Sequence, residues 1–342
     1  MANQYVETGL CAPANATWEM TYKCNLSCIH CLSDSGSKRK DELTTKECIK
    51  VIDTLSAMKV FQLNIGGGEP FMRSDFLYLM DYAHEKGMVT CISTNGTLID
   101  RQIAKQLVHP LVYIQVSLDG ATPETNDPIR GKGSFEKVIS ALECLKERDI
   151  EVSINTVLTK LSIHSLDKMA DLAKAYGAKF RVSRFRPSGR GKDSWEQLNV
   201  SKDEMLEFSA WLNNHLSVST GDSFFSVSSE DRRSLGLNMC GACKLTCCIS
   251  PTGGIYPCAF LQEEDFRAGT LRKDSFSEVW KTSPVFNSFR QLEIKSCESC
   301  HRFDLCHGGC PAIAYHTQRK LGIADPGCLE NCVKVKPVKV TA

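Results

Sequence analysis

Three cysteines, Cys24, Cys28 and Cys31, lie within eight residues of one another. Three thiolates this close can hold three corners of a four-iron, four-sulfur cube, leaving the fourth iron open to another ligand. Zinc is the rival occupant. Structural zinc takes four closed ligands, and catalytic zinc keeps an open position among harder donors. His30 would have to complete a zinc set, and its adjacency to Cys31 makes joint ligation awkward.

Ten of the 18 cysteines form a second array, from Cys240 to Cys328. It runs Cys240, Cys243, Cys247, Cys248, Cys258, then Cys297-x2-Cys300-x5-Cys306-x3-Cys310, and ends at Cys328. The others, Cys11, Cys48, Cys91, Cys144 and Cys332, are scattered and read as small hydrophobes. Disulfides do not persist in a reducing compartment, so clustered cysteines there indicate metal. Paired zinc ribbons would explain the second array alone, but not the first loop. Residues 249–250 and 255–256 read as a hairpin around Pro251-Thr252-Gly253-Gly254. That hairpin is expected to bring Cys247 near Cys258 and to turn Cys248 to the other face.

The elements that position these cysteines alternate. Strands are predicted over 17–20, 61–65, 89–93, 111–118, 152–158 and 179–185. Helices are predicted over 44–57, 75–86, 100–108, 134–148 and 165–176, with a sixth inside 203–216. Thr44 with Glu47 three residues on forms a capping box, and Gly87 and Gly177 stop two of the helices. Alternating strands and helices imply a parallel sheet with right-handed crossovers. Six units are too few for a closed eightfold barrel, so the expected fold is α/β, an open partial (β/α)6 barrel. Turn residues and cysteines multiply after Arg190. The expected organisation is an extension over 1–16, the barrel over 17–228, a cluster-binding domain over 229–332, and a disordered basic tail over 333–342.

The polar signatures sit at the C-terminal ends of the strands, where such barrels carry their active sites. They are the cysteine loop, Gly66-Gly67-Gly68-Glu69-Pro70, Ser93-Thr94-Asn95-Gly96 and Ser117-Leu118-Asp119-Gly120, with Asn155 on the fifth strand and Arg184 and Arg186 closing the sixth. Glycines at 66–68 permit close backbone approach to a ligand. Net charge is +1, so no electrostatic case exists for nucleic acid or a membrane surface. No stretch reaches the apolar length of a membrane span, and the first 16 residues lack a signal pattern. The expected location is the cytoplasm.

With these motifs in place, the chain resembles the radical S-adenosylmethionine superfamily. The resemblance implies that the open iron of a [4Fe–4S] cluster chelates S-adenosylmethionine, which is cleaved to a 5′-deoxyadenosyl radical that abstracts a substrate hydrogen. It makes Gly67, Gly68 and Glu69 the family's Gly-Gly-Glu motif, receiving the cofactor's ammonium group. Ser93, Asn95, Ser117 and Asn155 are then candidates for its ribose or carboxylate, and Arg130 for a bidentate grip on the carboxylate. His30 stands where the family often has an aromatic residue, beside adenine.

Cys243-x9-Gly253-x4-Cys258 before the four-cysteine run resembles the SPASM extension of peptide-modifying members, implying two auxiliary clusters and three [4Fe–4S] clusters in all. By position, Cys258 and Cys310 join two of Cys240, Cys243 and Cys247 at one cluster. Cys240 ranks first, Cys243 against Cys247 stays open, and Cys248 is packing. Cys297, Cys300, Cys306 and Cys328 hold the other cluster.

Asn64-Ile65-Gly66-Gly67-Gly68-Glu69-Pro70, Arg186-Pro187-Ser188-Gly189-Arg190-Gly191, Gly221-Asp222-Ser223-Phe224-Phe225 and Leu237-Asn238-Met239-Cys240-Gly241-Ala242 together resemble the mycofactocin maturase family. That resemblance implies oxidative decarboxylation of a C-terminal tyrosine and a Val–Tyr carbon–carbon crosslink in a ribosomal precursor peptide. A small peptide-binding chaperone and an electron donor are the implied partners. The short stretch before residue 17 is expected to leave no room for a fused peptide-recognition domain. Other SPASM maturases (thioether-forming, quinone-cofactor or sulfatase-activating) share every cluster motif.

Overall fold

The computed structural model describes residues 10–220, 224 and 240–330. The expected boundary at Ser229, most of the segments 221–225 and 237–242, Cys332 and the basic tail lie outside the described residues. The elements run β1 (Asn15–Glu19), α1 (Thr45–Ala57), β2 (Gln62–Gly66), α2 (Phe76–Glu85), β3 (Val89–Thr94), α3 (Arg101–Gln106) and β4 (Val112–Ser117). Next come α4 (Pro123–Arg130), α5 (Ser134–Lys146), β5 (Val152–Leu158), α6 (Leu166–Ala175), β6 (Lys179–Arg184), the single turn α7 (Trp195–Leu198) and α8 (Lys202–Asn214). The cysteine-rich part adds β7 (Thr246–Ile249), β8 (Gly254–Tyr256), β9 (Gly269–Thr270), α9 (Phe276–Thr282), α10 (Pro284–Arg290), α11 (Phe303–Cys306) and α12 (Pro311–Gln318).

All six expected strands form and pair in parallel, and the Thr44–Glu47 capping box opens α1. The sheet does not stop at six strands. Its order is β6-β5-β4-β3-β2-β1-β7-β8-β9, because β7 lies parallel to the free edge of β1. β8 and β9 then continue antiparallel. The first cysteine loop therefore leaves the middle of one continuous sheet.

Helix α4 was not anticipated. Proline inside a helix removes a backbone donor and disfavours the preceding turn, and Pro128 hides the pattern. The helix is held from outside instead: the Asp127 carboxylate accepts from the backbone N–H groups of Gly133 and Phe135 and from Ser134 Oγ.

Strand burial alternates with period two. Ala16, Trp18, Leu63, Ile65, Ile92, Ile114, Val116, Ile154 and Val182 face the helices and are buried. Phe180 on that face meets Trp211 of α8 edge-on. The opposite, concave face carries polar, half-buried side chains, among them Asn64, Ser93, Gln115, Ser117, Arg181 and Ser183. No helix of the described residues is long and apolar enough to cross a membrane.

Candidate active site and cluster-binding loops

The first cysteine loop is held as a closed turn. Cys24 N–H donates to Gly36 O at 2.8 Å, Gly36 N–H to Tyr22 O at 2.8 Å, and Cys31 N–H to Cys28 O at 3.2 Å. Arg190, from the segment after β6, donates to Cys28 O and Ser35 O. The three thiols are free and half-buried. Cys24 Sγ accepts from Leu26 N–H at 3.5 Å and Asn95 Nδ2 at 3.8 Å. Burial pushes the Cys24 and Cys28 thiols above their ordinary range, with the Arg130 guanidinium pulling Cys28 back. Among the described residues, no three His, Cys, Asp or Glu side chains converge on a single-ion site. A four-iron cube instead needs thiolates spread over its corners, so the donor set fits a cluster better than one zinc ion.

The glycine motif packs on that loop. Gly68 N–H donates to Thr21 O at 2.7 Å and Glu69 N–H to Lys23 O at 2.8 Å. A Cβ at Gly68 would lie 2.2 Å from Lys23 O, and one at Gly67, whose φ is +110°, 2.7 Å from Thr21 O. The close approach permitted by these glycines is thus to the cysteine loop's own backbone. The Glu69 side chain is wholly buried. Its carboxylate accepts from Thr94 Oγ1 (2.8 Å), Asn95 N–H (2.8 Å) and Phe71 N–H (3.3 Å). Burial raises its pKa to about 7 against those donors. Its observed work is to bracket the second and third loops.

A second hub, Asp119, was quoted only as part of a loop signature. It is fully buried and lies 2.7 Å from both His30 Nε2 and Arg130 Nε. Its other oxygen accepts from Val157 N–H at 2.7 Å. Burial alone would raise this carboxyl, but the Arg130 guanidinium and His30 hold it near 2. Arg130 is thereby anchored by one edge beside Cys28, whose Sγ lies 3.9 Å from Arg130 O. His30 is committed to Asp119 through Nε2, so its observed contact is polar, not stacking.

The remaining rim residues share one layered face. Register pairs Ser117 with Asn155, and Asn155 with Arg181. Asn155 Oδ1 accepts from Ser183 Oγ at 2.6 Å. Ser93 lies a layer lower, opposite Gln115, and accepts from Gln115 Nε2 at 3.1 Å. Arg181 Nη1 donates to Gln115 Oε1 at 3.0 Å. Neither Gln115 nor Arg181 was anticipated, although odd-numbered positions of β4 and β6 should have flagged both.

At the auxiliary sites, Cys297, Cys300, Cys306 and Cys328 line a single pocket with Gly308, Gly309 and Asp325. That is the set the SPASM resemblance implies for one cluster. Asp325 ties it to the barrel: Arg184 grips the carboxylate through Nη1 (2.6 Å) and Nη2 (2.9 Å), both residues being buried. The same carboxylate accepts from Cys310 N–H, and Asp325 O accepts from Cys328 N–H, each at 2.9 Å. Cys240, Cys258 and Cys310 interact electrostatically, and Cys243 interacts with Cys247, Cys240 and Cys258.

The hairpin corrects one expectation. It pairs Cys248 with Tyr256 and Ile249 with Ile255. Cys248, not Cys247, therefore shares the face of Tyr256, because one residue of register exchanges the faces of a strand, and Cys258 adds to the rise of the buried Cys248 thiol. Cys247 pairs with Ala16 and is fully buried.

Comparison with known proteins places the chain in a family. Residues 18–173 match the Radical SAM superfamily, and residues 240–302 match SPASM, an iron-sulfur cluster-binding domain. The chain is 43% identical to the mycofactocin maturase of Mycobacterium tuberculosis, over 95% of this chain and 85% of that one. It is 30% identical to an AdoMet-dependent heme synthase of Methanosarcina barkeri, over 93% and 97% of the two chains. The crystal structure of Streptococcus suis SuiB bound to precursor peptide SuiA has the same fold. Its TM-score is 0.79 at 19% identity, covering 96% of this chain and 78% of that one. With an open three-cysteine loop on a parallel sheet, a cysteine-rich extension beside it and this identity along nearly the whole chain, the protein belongs to the radical SAM/SPASM enzymes, in the mycofactocin maturase family.

Proposed function

We propose that this enzyme matures a ribosomally made precursor peptide, oxidatively decarboxylating a C-terminal tyrosine and joining it to the neighbouring valine through a carbon–carbon bond. The observation that carries this reading is 43% identity to a mycofactocin maturase over 95% of the chain. The bound groups supply the radical chemistry: a three-thiolate [4Fe–4S] cluster and S-adenosylmethionine provide a 5′-deoxyadenosyl radical, and thiolate-bound auxiliary clusters provide an electron acceptor.

The chain's own residues do the positioning. Cys24, Cys28 and Cys31 hold the open cluster. Asp119 fixes Arg130 beside it, leaving the far edge of the guanidinium to grip a carboxylate of the cofactor. Glu69 locks Asn95 against Cys24, and Ser117 and Asn155 offer hydrogen bonds from the next two strands. Cys297, Cys300, Cys306 and Cys328 hold one auxiliary cluster. Cys240, Cys258 and Cys310 hold the other with a fourth thiol, for three clusters in all. The domain division at residues 17, 229 and 333, a cytoplasmic location, an electron donor and a small peptide-binding chaperone belong to the same reading. A C-terminal dipeptide offers little binding surface, and a partner holding the leader raises its effective concentration at the barrel.

The test is a paired anaerobic reaction of reconstituted enzyme, reductant, S-adenosylmethionine and full-length precursor, with and without the partner. The expected product has lost about 46 Da, carbon dioxide plus two hydrogens, and only when the partner is present. Equal yields without it overturn the partner requirement. Cofactor cleavage with no mass change overturns the decarboxylation and favours another SPASM peptide chemistry.

A further inference from the structure

Glu19 ends β1, and strand alternation places it with Asn15 and Thr17 on the concave face, below the first cysteine loop. It is buried, and its carboxylate accepts one hydrogen bond among the described residues, from Gln262 Nε2 at 2.9 Å. Two other buried carboxylates near the loop are served differently. Asp119 lies against the His30 and Arg130 side chains, and Glu69 has donors on both oxygens. For Glu19, burial disfavours the ionised form and a single amide favours it, and its pKa is raised to about 7.

The same amide ties Glu19 to the auxiliary sites. Gln262 Nε2 also donates to Ala259 O, the carbonyl next to Cys258, at 3.0 Å. Cys248, paired with Thr17 across β1 and β7, lies within electrostatic reach of both Glu19 and Cys258. The titratable groups that face Glu19 are Cys248 and Tyr22, with Tyr256 and Arg39 acting on Tyr22 from behind. Burial pushes the Cys248 thiol well up and the Tyr22 phenol up to about 12. Both therefore stay protonated through the neutral range, and Glu19 is the member of this group that titrates there.

A cube held by thiolates is anionic, and an electron that it accepts adds further negative charge. An ionised carboxylate nearby opposes that charge, the more so in a buried setting; a protonated carboxyl does not. We propose that Glu19 binds a solvent proton when the auxiliary cluster held by Cys240, Cys258 and Cys310 is reduced, and releases it when a one-electron carrier reoxidises that cluster. One electron enters the cluster, one O–H bond forms on Glu19, and the net charge of the pair is unchanged. The coupling is reciprocal: if reduction tightens the proton on Glu19, protonation tightens the electron on the cluster by the same factor. Glu19 thus acts through the cluster, as a redox-linked proton site. This inference rests on the cluster assignment above and not on the identity of the peptide.

The experiment is a mediated redox titration of anaerobically reconstituted holoenzyme, without peptide, from about pH 6 to pH 9. A low-potential chemical reductant supplies the electrons, and visible bleaching and electron paramagnetic resonance follow the clusters. One midpoint potential should fall as pH rises above about 7. Each tenfold fall in proton concentration should weaken electron binding by up to about tenfold, about 59 mV for a one-electron couple. Glu19→Gln keeps an acceptor for Gln262 and should make that potential independent of pH. Glu19→Asp, which keeps a carboxylate, should restore part of the slope, and Cys258→Ala should remove the pH-dependent wave. Iron content verifies that each variant folds, and the wild-type titration needs no variant. Wild-type potentials that are all flat with pH overturn the proposal, as does an undiminished slope in Glu19→Gln. A slope that survives in Cys258→Ala protein of reduced iron content belongs to another cluster and also overturns it. Cys258→Ala protein with a full complement of iron refutes the cluster assignment itself.

Discussion

Cys243 and Cys247 compete for one ligand position, and we expect Cys243 to take it. Cys243 lies in a left-handed turn at φ +62°, held by its N–H to Thr246 O and by Arg290 Nε to its carbonyl, each at 2.8 Å. Burial pushes its thiol up, and Cys247, Cys240 and Cys258 add to the rise, so it sits within electrostatic reach of two cluster thiols. Cys247 sits in β7 opposite Ala16. Burial raises its thiol to about 12, and it lies within electrostatic reach of Cys243 and Cys248. Cys243→Ala should therefore lose one cube, taking iron from about twelve atoms per chain to about eight. Cys247→Ala should keep the iron and cost about 1–2 kcal/mol, the scale for trimming a small group from a packed core. Iron analysis and spin quantification after anaerobic reconstitution read the first effect, and urea unfolding midpoints read the second. Cys247→Ala protein with about eight irons, beside Cys243→Ala protein with a full complement, would refute the placement.

Replacing Cys24, Cys28 and Cys31 together with Ala should remove about a third of the iron and abolish S-adenosylmethionine cleavage, measured as 5′-deoxyadenosine. Cys297→Ala or Cys306→Ala should leave that cleavage intact and stop net peptide oxidation; normal product yield from either variant would deny its cluster the acceptor role. Asp325→Ala leaves Arg184 buried and unpaired, so it should destabilise by about 3–5 kcal/mol and lower iron at both auxiliary sites, read by unfolding and iron assay. Asp119→Asn should likewise destabilise at neutral pH. A carboxylate whose folded pKa is depressed contributes stability above its unfolded value near 3.8, and that contribution fades as pH falls toward about 2. The gap in stability between wild type and Asp119→Asn should therefore narrow from pH 4 to pH 2, and a gap that widens on acidification would contradict the ion pair.

Local spacing carries much of this protein. Cys24-x3-Cys28-x2-Cys31, the Thr44–Glu47 capping box and the period-two strands are relations between near neighbours, visible without knowing what lies across the sheet. They were enough to read six parallel strands and the three-thiolate loop; the four thiols around one pocket were implied by the resemblance to SPASM proteins. What tertiary structure decided are relations between distant residues. Asp119 meets His30 89 positions away and Val157 38 positions away. Arg184 meets Asp325 across 141 positions, and Arg181 reaches Gln115 across 66. No local pattern specifies such partners, because each depends on which strands and loops pack together. The parallel pairing of β7 with β1 is of the same kind: an edge strand presents unpaired backbone groups, and only the fold determines which segment satisfies them. The hairpin shows how narrow the margin is. Its strands and turn were legible, yet one residue of register, set by Ser250 N–H donating to Gly254 O, decided which of two adjacent cysteines lies opposite Tyr256.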